Sequence, residues 1–371
     1  MDIDATGIRK EVSVMKDHKF IFSVLVIALF IATNSAQANQ TSDFSNLVQP
    51  AMKLIKEGQT KAAISILETI VKNNPNNHEV RTFLANLYIT ENETGKAEKN
   101  YFEVIRMNPN DAQAYNNLGL VYLKKGDAKK AMDSFQTAIK KDPKLSEAHY
   151  NLGEAALLSG YSEIAVRYFK KALELSPKDS STHAKLGTAL AKSGSIQEAI
   201  PHFEKAIRMN RDDFQSMSDL GFAYLSQSKP EQASKQFRKV LDAYPGSTMA
   251  HYGLGLSLKA LRKPNEAILE FKKANESSPK FIDSYLEAGA SLIAVGKLEE
   301  AKLEFEKAVQ IYRDLFQKGA VSSAGRLRFA EALIQLGKHK EAKENLQKVL
   351  KTEKSTSALH AQAQLLMEKI K

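Results

Sequence analysis

One spacing dominates this sequence: large, small and turn-forming residues recur together every 34 positions. The stretch from Ala112 to Pro143 shows the pattern most fully, as AQAYNNLGLVYLKKGDAKKAMDSFQTAIKKDP. With Ala112 as position 1, Tyr115, Leu118, Gly119 and Tyr122 occupy positions 4, 7, 8 and 11, and Gly126 occupies 15. Ala131, Phe135, Ala138 and Pro143 fall at 20, 24, 27 and 32. Large residues three and four apart give each half of the unit one apolar helical face. Small residues at 8 and 20 let the two helices approach closely. Gly126 stops the first helix, and Pro143 marks the break before the next unit. A helix pair this short cannot bury its own apolar face, so it needs neighbours stacked on it.

Steps of 34 in both directions place repeat starts at Phe44, His78, Ala112, Ser146, Ser180, Phe214, Thr248 and Ile282. In the sixth and seventh of these the Gly at position 15 is missing, and Pro230 and Pro264 stand at position 17. Pro suits the first turn of a helix, so they are expected to open the second helices there. Pro201 falls inside a second helix and predicts a kink. The register breaks once. The eighth repeat has Arg313 where Pro usually stands, and its helical pattern continues through Tyr312 and Leu315 to Gln317, ending at Gly319. A ninth repeat fits only from Ser323. The seven inserted residues amount to about two helical turns. They predict a lengthened second helix in repeat eight and a changed stacking angle there.

The pattern resembles the tetratricopeptide repeat, a 34-residue helix–turn–helix unit. The resemblance implies an all-α, right-handed superhelix of nine helix pairs. Repeats one to eight would span 44–315, an insertion 316–322 and repeat nine 323–356, with a capping helix over 357–371.

The front of the chain reads differently. Phe20 to Ala32 is an uncharged apolar run of 13 residues, preceded by Lys16 and Lys19 and followed by Ala36 and Ala38 in an A-x-A arrangement. These features predict a secretory signal peptide over 1–38, cut after Ala38, with a disordered linker over 39–43. Met15 is a better start for it than the polar first 14 residues. The run is short for a membrane span of about 18 or more apolar residues. The alternative is an uncleaved inner-membrane anchor at 20–32, the one route by which a membrane would be a partner. The expected destination is a bacterial periplasm.

Composition narrows the chemistry. The absence of Cys excludes disulfides, thiolate metal sites and Cys nucleophiles. The formal charge of +10 admits acidic polymers or proteins as partners. The Lys residues, though, are spread along outward helix positions beside Glu, as in Glu98–Lys99 and Glu306–Lys307, which is the pattern of a solvated face. His149, His183 and His251 sit at position 4, where the family has Trp or Tyr, so packing is expected of them. Such rings lie a repeat-width apart, too far to share a metal whose ligands sit at about 2 Å. His202 neighbours Phe203 on a second helix. No H-E-x-x-H, phosphate loop or G-x-S-x-G elbow is present. The expectation is no catalytic residue, no metal and no cofactor. Nucleic acid is not expected, because the aromatics at 4, 11 and 24 are core positions rather than a stacking platform.

The resemblance also implies where a partner sits. In the family the first helices line the concave surface, with positions 2, 5, 6, 9, 12 and 13 pointing into it. The basic carboxylate clamp of some members is missing. A partial match exists to the superhelix of O-linked N-acetylglucosamine transferase, where Asn at position 6 of successive repeats holds a peptide backbone. Here that row includes Asn117, Asn151 and Lys185. The candidate partner-binding residues are therefore Asn86, Asn116, Asn117, Leu120, Tyr150, Asn151, Glu154 and Lys185. A second candidate patch is Phe222, Leu225, Tyr252 and Leu256. The function this suggests is a non-catalytic adaptor that holds a protein or peptide within an envelope assembly, secretion or polymer-export machine. The alternative is a subunit that binds acidic polymer or carbohydrate.

Overall fold

The computed structural model describes residues 38–319 and 321–370, so the apolar run at 20–32 lies outside the described residues. Among the described residues there are nineteen helices and no strand. They form two compact units, one through Ala206 and one from Ile207 onward.

In the first unit the helices are α1 (Ala38–Lys56), α2 (Thr60–Asn73), α3 (His78–Thr90), α4 (Thr94–Met107), α5 (Ala112–Lys124), α6 (Ala128–Lys141), α7 (Ser146–Leu158), α8 (Ser162–Leu175), α9 (Ser180–Lys192) and α10 (Ile196–Met209). The last turn of α10 belongs to the second unit. That unit continues with α11 (Phe214–Ser226), α12 (Pro230–Ala243), α13 (Thr248–Ala260), α14 (Pro264–Ser277), α15 (Ile282–Ala294), α16 (Leu298–Gln317), α17 (Ser323–Gln335), α18 (His339–Thr352) and α19 (Ala358–Lys369). Within each unit the helices pack as successive helix–turn–helix pairs.

The helix boundaries follow from local chemistry. Asp111 accepts a hydrogen bond from the Ala114 N–H at 3.0 Å, and Asn77, Asp213, Ser247 and Ser322 cap their helices in the same way. Pro230 and Pro264 stand in the first turns of α12 and α14, as their positions require. Helix α1 already includes residues 39–43, which corrects the expectation of a linker there. Pro201 lies within α10.

Position 24 forms the core. Tyr101, Phe135, Phe169, Phe203, Phe237 and Phe271 are fully buried. Each Phe ring fills the space that a side chain at position 8 would take. A Cβ on Gly187 would lie 2.7 Å from the Phe203 ring, and one on Gly255 2.5 Å from the Phe271 ring. The small residue at position 8 is therefore a packing requirement. At position 15 the turn needs a left-handed residue: Gly126 has φ +79°. Asn92, Ser228 and Arg262 hold the same conformation without glycine, at φ 62°, 55° and 58°.

Helix α16 has 20 residues where the other second helices have 14. The extra turns pack onto the next repeat: Phe316 meets Phe329 with ring centres 5.0 Å apart, and Arg313 pairs with Glu341 at 3.0 Å. Arg326 lies over the Phe316 ring at 4.6 Å.

Position 4 has a role that packing alone misses. Its polar tip reaches the carbonyl of the proline that closes the preceding repeat. Arg81 Nε donates to Pro75 O at 2.8 Å, and Tyr285 OH donates to Pro279 O at 3.3 Å. His149 Nε2 lies 3.0 Å from Pro143 O, and His251 Nε2 lies 2.8 Å from Pro245 O.

Candidate partner-binding faces

The first helices of successive repeats touch one another, α5 with α7 and α7 with α9 in the first unit, α11 with α13 and α13 with α15 in the second. Each unit thus curves with its first helices inward.

On the inner side of the first unit the amides form a connected network. Tyr101 OH donates to Asn86 Oδ1 and also bonds Asn117. Gln113 Nε2 donates to Asn117 Oδ1 at 3.1 Å and to Glu147 Oε2 at 3.3 Å. Asn116 Nδ2 donates to Asn117 Oδ1 at 3.4 Å, and Asn151 Nδ2 donates to Asn116 Oδ1 at 2.9 Å. Asn116 is completely enclosed, which corrects its place among the contact residues: it holds the face from beneath. Asn117 and Asn151 are also buried, because they tie neighbouring repeats together. Tyr150 stands edge-on against Phe169 at 5.6 Å, and burial raises its hydroxyl pKa. Lys185 Nζ bonds Glu154 Oε1 at 2.7 Å. Leu120 is half-buried against the core.

Two contributors at position 2 were missed, Gln113 and Glu147. Glu147 is open to water yet crowded by surrounding protein. That desolvation pushes its carboxyl up, against the hydrogen bonds from Gln113 and Asn116. Leu158, at position 13, is 74% exposed and was also missed. The family spacing pointed to positions 2 and 13, but nothing in the sequence ranked these residues above others there.

The inner side of the second unit is built differently. Phe222 stands edge-on to Phe237 at 4.9 Å, and Phe222, Leu225 and Leu256 are each partly exposed. Tyr252 is buried, a correction to its place in the exposed patch. Its ring packs edge-on to Phe281 at 5.0 Å and tilts against Phe271 at 5.9 Å. Burial, then the charges of Asp283 and Glu287, raise its hydroxyl pKa. Around it Lys259 pairs with Glu287 at 2.7 Å and Arg328 pairs with Asp283. Glu331 is exposed but desolvated by its surroundings, which pushes its carboxyl up.

Positions 4 and 23 also meet within a repeat. His183 Nδ1 lies 3.0 Å from His202 Nδ1, and His251 Nδ1 lies 2.6 Å from Glu270 Oε2. His202 is thus the partner of His183 within repeat five, a pairing between positions 4 and 23 that the comparison of position 4 between repeats does not reveal. Among the described residues no group of three or more His, Asp or Glu is placed to hold a metal ion, and no helix is long and apolar enough to cross a membrane.

The profile of the tetratricopeptide repeat matches residues 54–119 and 190–255, 112–145, 146–179, 282–315 and 325–356. The chain belongs to the tetratricopeptide repeat family. A tetratricopeptide repeat protein from Parabacteroides merdae is 17% identical, with a TM-score of 0.57 over 69% of this chain and 98% of that one. Human IFIT1, solved as a dimer with m7Gppp-AAAA, is 17% identical, with a TM-score of 0.54 over 86% of this chain and 79% of its own. YrrB, described as a tetratricopeptide protein with an unusual peptide-binding site, is 23% identical with a TM-score of 0.44, over 48% of this chain and 92% of that one. At these identities the likeness is one of fold. A search of curated proteins finds no significant match. Tetratricopeptide repeats are typically interaction scaffolds, and their membership here makes this chain a protein–protein interaction adaptor by family.

Proposed function

We propose that this tetratricopeptide protein is a non-catalytic adaptor, exported to a bacterial periplasm, that holds an extended segment of a partner on the inner face of repeats two to five. The amide network carries the reading. Asn86 uses its Oδ1 and Asn151 its Nδ2 inside the network. Among the described residues the Asn86 NH2 and the Asn151 carbonyl are not used in the network, and they form a donor and an acceptor at its two ends. A peptide bond offers the complementary pair. Leu120, Leu123, Leu157 and Leu158 add apolar contact beside them, and the Glu154–Lys185 pair borders the far side.

Export is supported by the apolar run at 20–32, its preceding lysines and the A-x-A pair. An exported adaptor of this kind fits an envelope assembly, secretion or polymer-export machine.

The test is retention from detergent-solubilised envelopes on the chain 39–371, at low and high salt, read by mass spectrometry. One or a few envelope proteins held at high salt is the expected outcome. They should be lost in Asn86→Leu/Leu158→Glu, a variant whose second change is on the open surface. Retention of salt-labile polymer alone would instead indicate a basic polymer-binding surface, because exposed charge–charge attraction is screened by salt. Undiminished retention by the variant would remove the groove from repeats two to five.

A further inference from the structure

We propose that the inner face of repeats six to nine is a second docking surface, and that it takes a peptide segment carrying Lys or Arg between large apolar side chains. The proposal rests on the adaptor reading only in taking the inner side of the first helices as the binding side.

Two strips run along this face. The first is apolar, from Phe222 and Leu225 through Leu256 to Ile293, which is 39% exposed. Phe222 is held by its edge-on packing against the buried Phe237, so the strip is anchored to the core. The second strip is charged: its positions carry Asp219, Asp283, Glu287 and Glu331 and two cations, Lys259 and Arg328. Four carboxylates to two cations is an acidic excess on one face of a chain whose total charge is +10. The inner positions of repeats two to five have no such excess, since Glu79, Glu147 and Glu154 there are matched by Lys124, Lys185 and Lys192.

The position-6 row locates the cation more closely. It reads Asp219, Gly253, Glu287 and Arg328 along repeats six to nine. Gly253 has no room for a side chain, because a Cβ there would collide with the Phe237 ring tip. The row is therefore interrupted between two carboxylates. Lys259 and Arg328 already bridge neighbouring repeats through Glu287 and Asp283. A Lys or Arg laid along this row would add positive charge between Asp219 and Glu287, while flanking apolar residues cover Phe222 and Leu256. First helices spaced about 8–10 Å apart make three intervals of about 24–30 Å in total. An extended peptide covers that with about seven to nine residues.

The probe is a pair of fluorescein-labelled nonapeptides with blocked ends, one alternating Leu and Lys and the other Leu and Glu. Binding to the chain 39–371 is followed by anisotropy. The Lys peptide should bind at least tenfold tighter than the Glu peptide. Asp219→Asn/Glu287→Gln should cut that preference at least fivefold and the exposed Glu331→Gln about twofold, with helical circular dichroism unchanged. Ile293→Asp should weaken the Lys peptide. The first-unit variant Asn86→Leu/Leu158→Glu should leave the assay as in wild type. Absent binding of the Lys peptide, equal binding of both peptides, a preference that survives both neutralising variants, or one that disappears in the first-unit variant would each overturn the proposal. The adaptor reading fails separately, when no envelope protein is retained.

Discussion

The inner faces of repeats three and seven use one backbone grid and opposite chemistry. At positions 5 and 6 repeat three has Asn116 and Asn117, and repeat seven has Tyr252 and Gly253. The asparagines reach sideways, so hydrogen bonds join repeats two, three and four. Tyr252 reaches inward, onto Phe281 and Phe271, and leaves ion pairs to link the neighbouring first helices. The repeat thus fixes where an inner side chain starts and leaves open what joins one repeat to the next. A hydrogen-bonded face is specific in direction, and a packed face is specific in volume.

The contrast breaks most sharply by deletion. Tyr252→Ala removes a buried ring from between two others and should cost about 3–4 kcal/mol, in the range of large aromatic truncations. The loss should be insensitive to salt. Asn116→Ala should cost less, about 1–3 kcal/mol, by leaving the Asn151 and Asn117 amides short of a partner. Urea unfolding with fluorescent probes placed separately in each unit measures both. Equal losses would mean that the network and the aromatic cluster hold their repeats equally well. A cost for Asn116→Ala near zero would mean that water replaces the network freely.

Most of the fold was legible because the 34-residue grid encodes both helix faces and both turns. His78, Ala112, Ser146, Ser180, Phe214, Thr248, Ile282 and Ser323, taken as repeat starts, are each the first residue of a helix. The binding faces were less legible, because exposure depends on neighbours in space. Asn116 and Asn117 occupy groove positions by spacing, yet Gln113, Glu147 and Asn151 enclose them. Tyr252 occupies an equivalent position and is covered by Phe281, which lies 29 residues on in the chain. The 4–23 pairs were hidden for the same reason. His183 and His202 are 19 residues apart, a spacing that carries no periodic signal.

Those pairs sharpen the comparison through pH. In repeat five, burial and nearby Lys205 lower the pKa of His183, and burial, His183, Lys170 and Lys205 lower that of His202. Asp179 and Glu198 oppose these effects only in part. In repeat seven, burial alone would raise the Glu270 carboxyl, but hydrogen bonds and charge from His251 and Lys273 bring it below its ordinary value. The signs place the two losses in different windows. Imidazoles with lowered folded pKa stabilise fully above their ordinary value near 6.5, and that contribution falls as pH drops below it. A carboxyl with lowered folded pKa stabilises above its ordinary value near 4.5 and loses that contribution as pH falls through the folded value. The first unit should therefore soften as pH falls below about 6.5, while the Glu270 contribution in repeat seven still holds. Amide exchange at α9 and α10 against α13 and α14, measured at pH 7 and 5.5, checks the order. His202→Gln should remove most of the difference, and an unchanged difference in that variant would detach it from the histidine pair.

The smallest effect lies at the turns. Repeats three to five place Gly126, Gly160 and Gly194 in the left-handed turn, and repeats six and seven place Ser228 and Arg262 there. For an ordinary residue that conformation costs about 1–2 kcal/mol. Replacement by glycine removes this strain but adds freedom to the unfolded chain, which takes back about 0.4–1 kcal/mol. Arg262→Gly should thus stabilise the second unit by about 0.5–1 kcal/mol, and Gly126→Arg should destabilise the first by a similar or larger amount. Arg262 has no side-chain pair that the change would break among the described residues. The melting temperature of each variant decides the matter. If Arg262→Gly gains stability without weakening the Lys-peptide complex, the strained turns of repeats six and seven are incidental to the second face. A gain in stability with a loss in affinity would show that strain helps hold α13 and α14 in the arrangement that presents the second face.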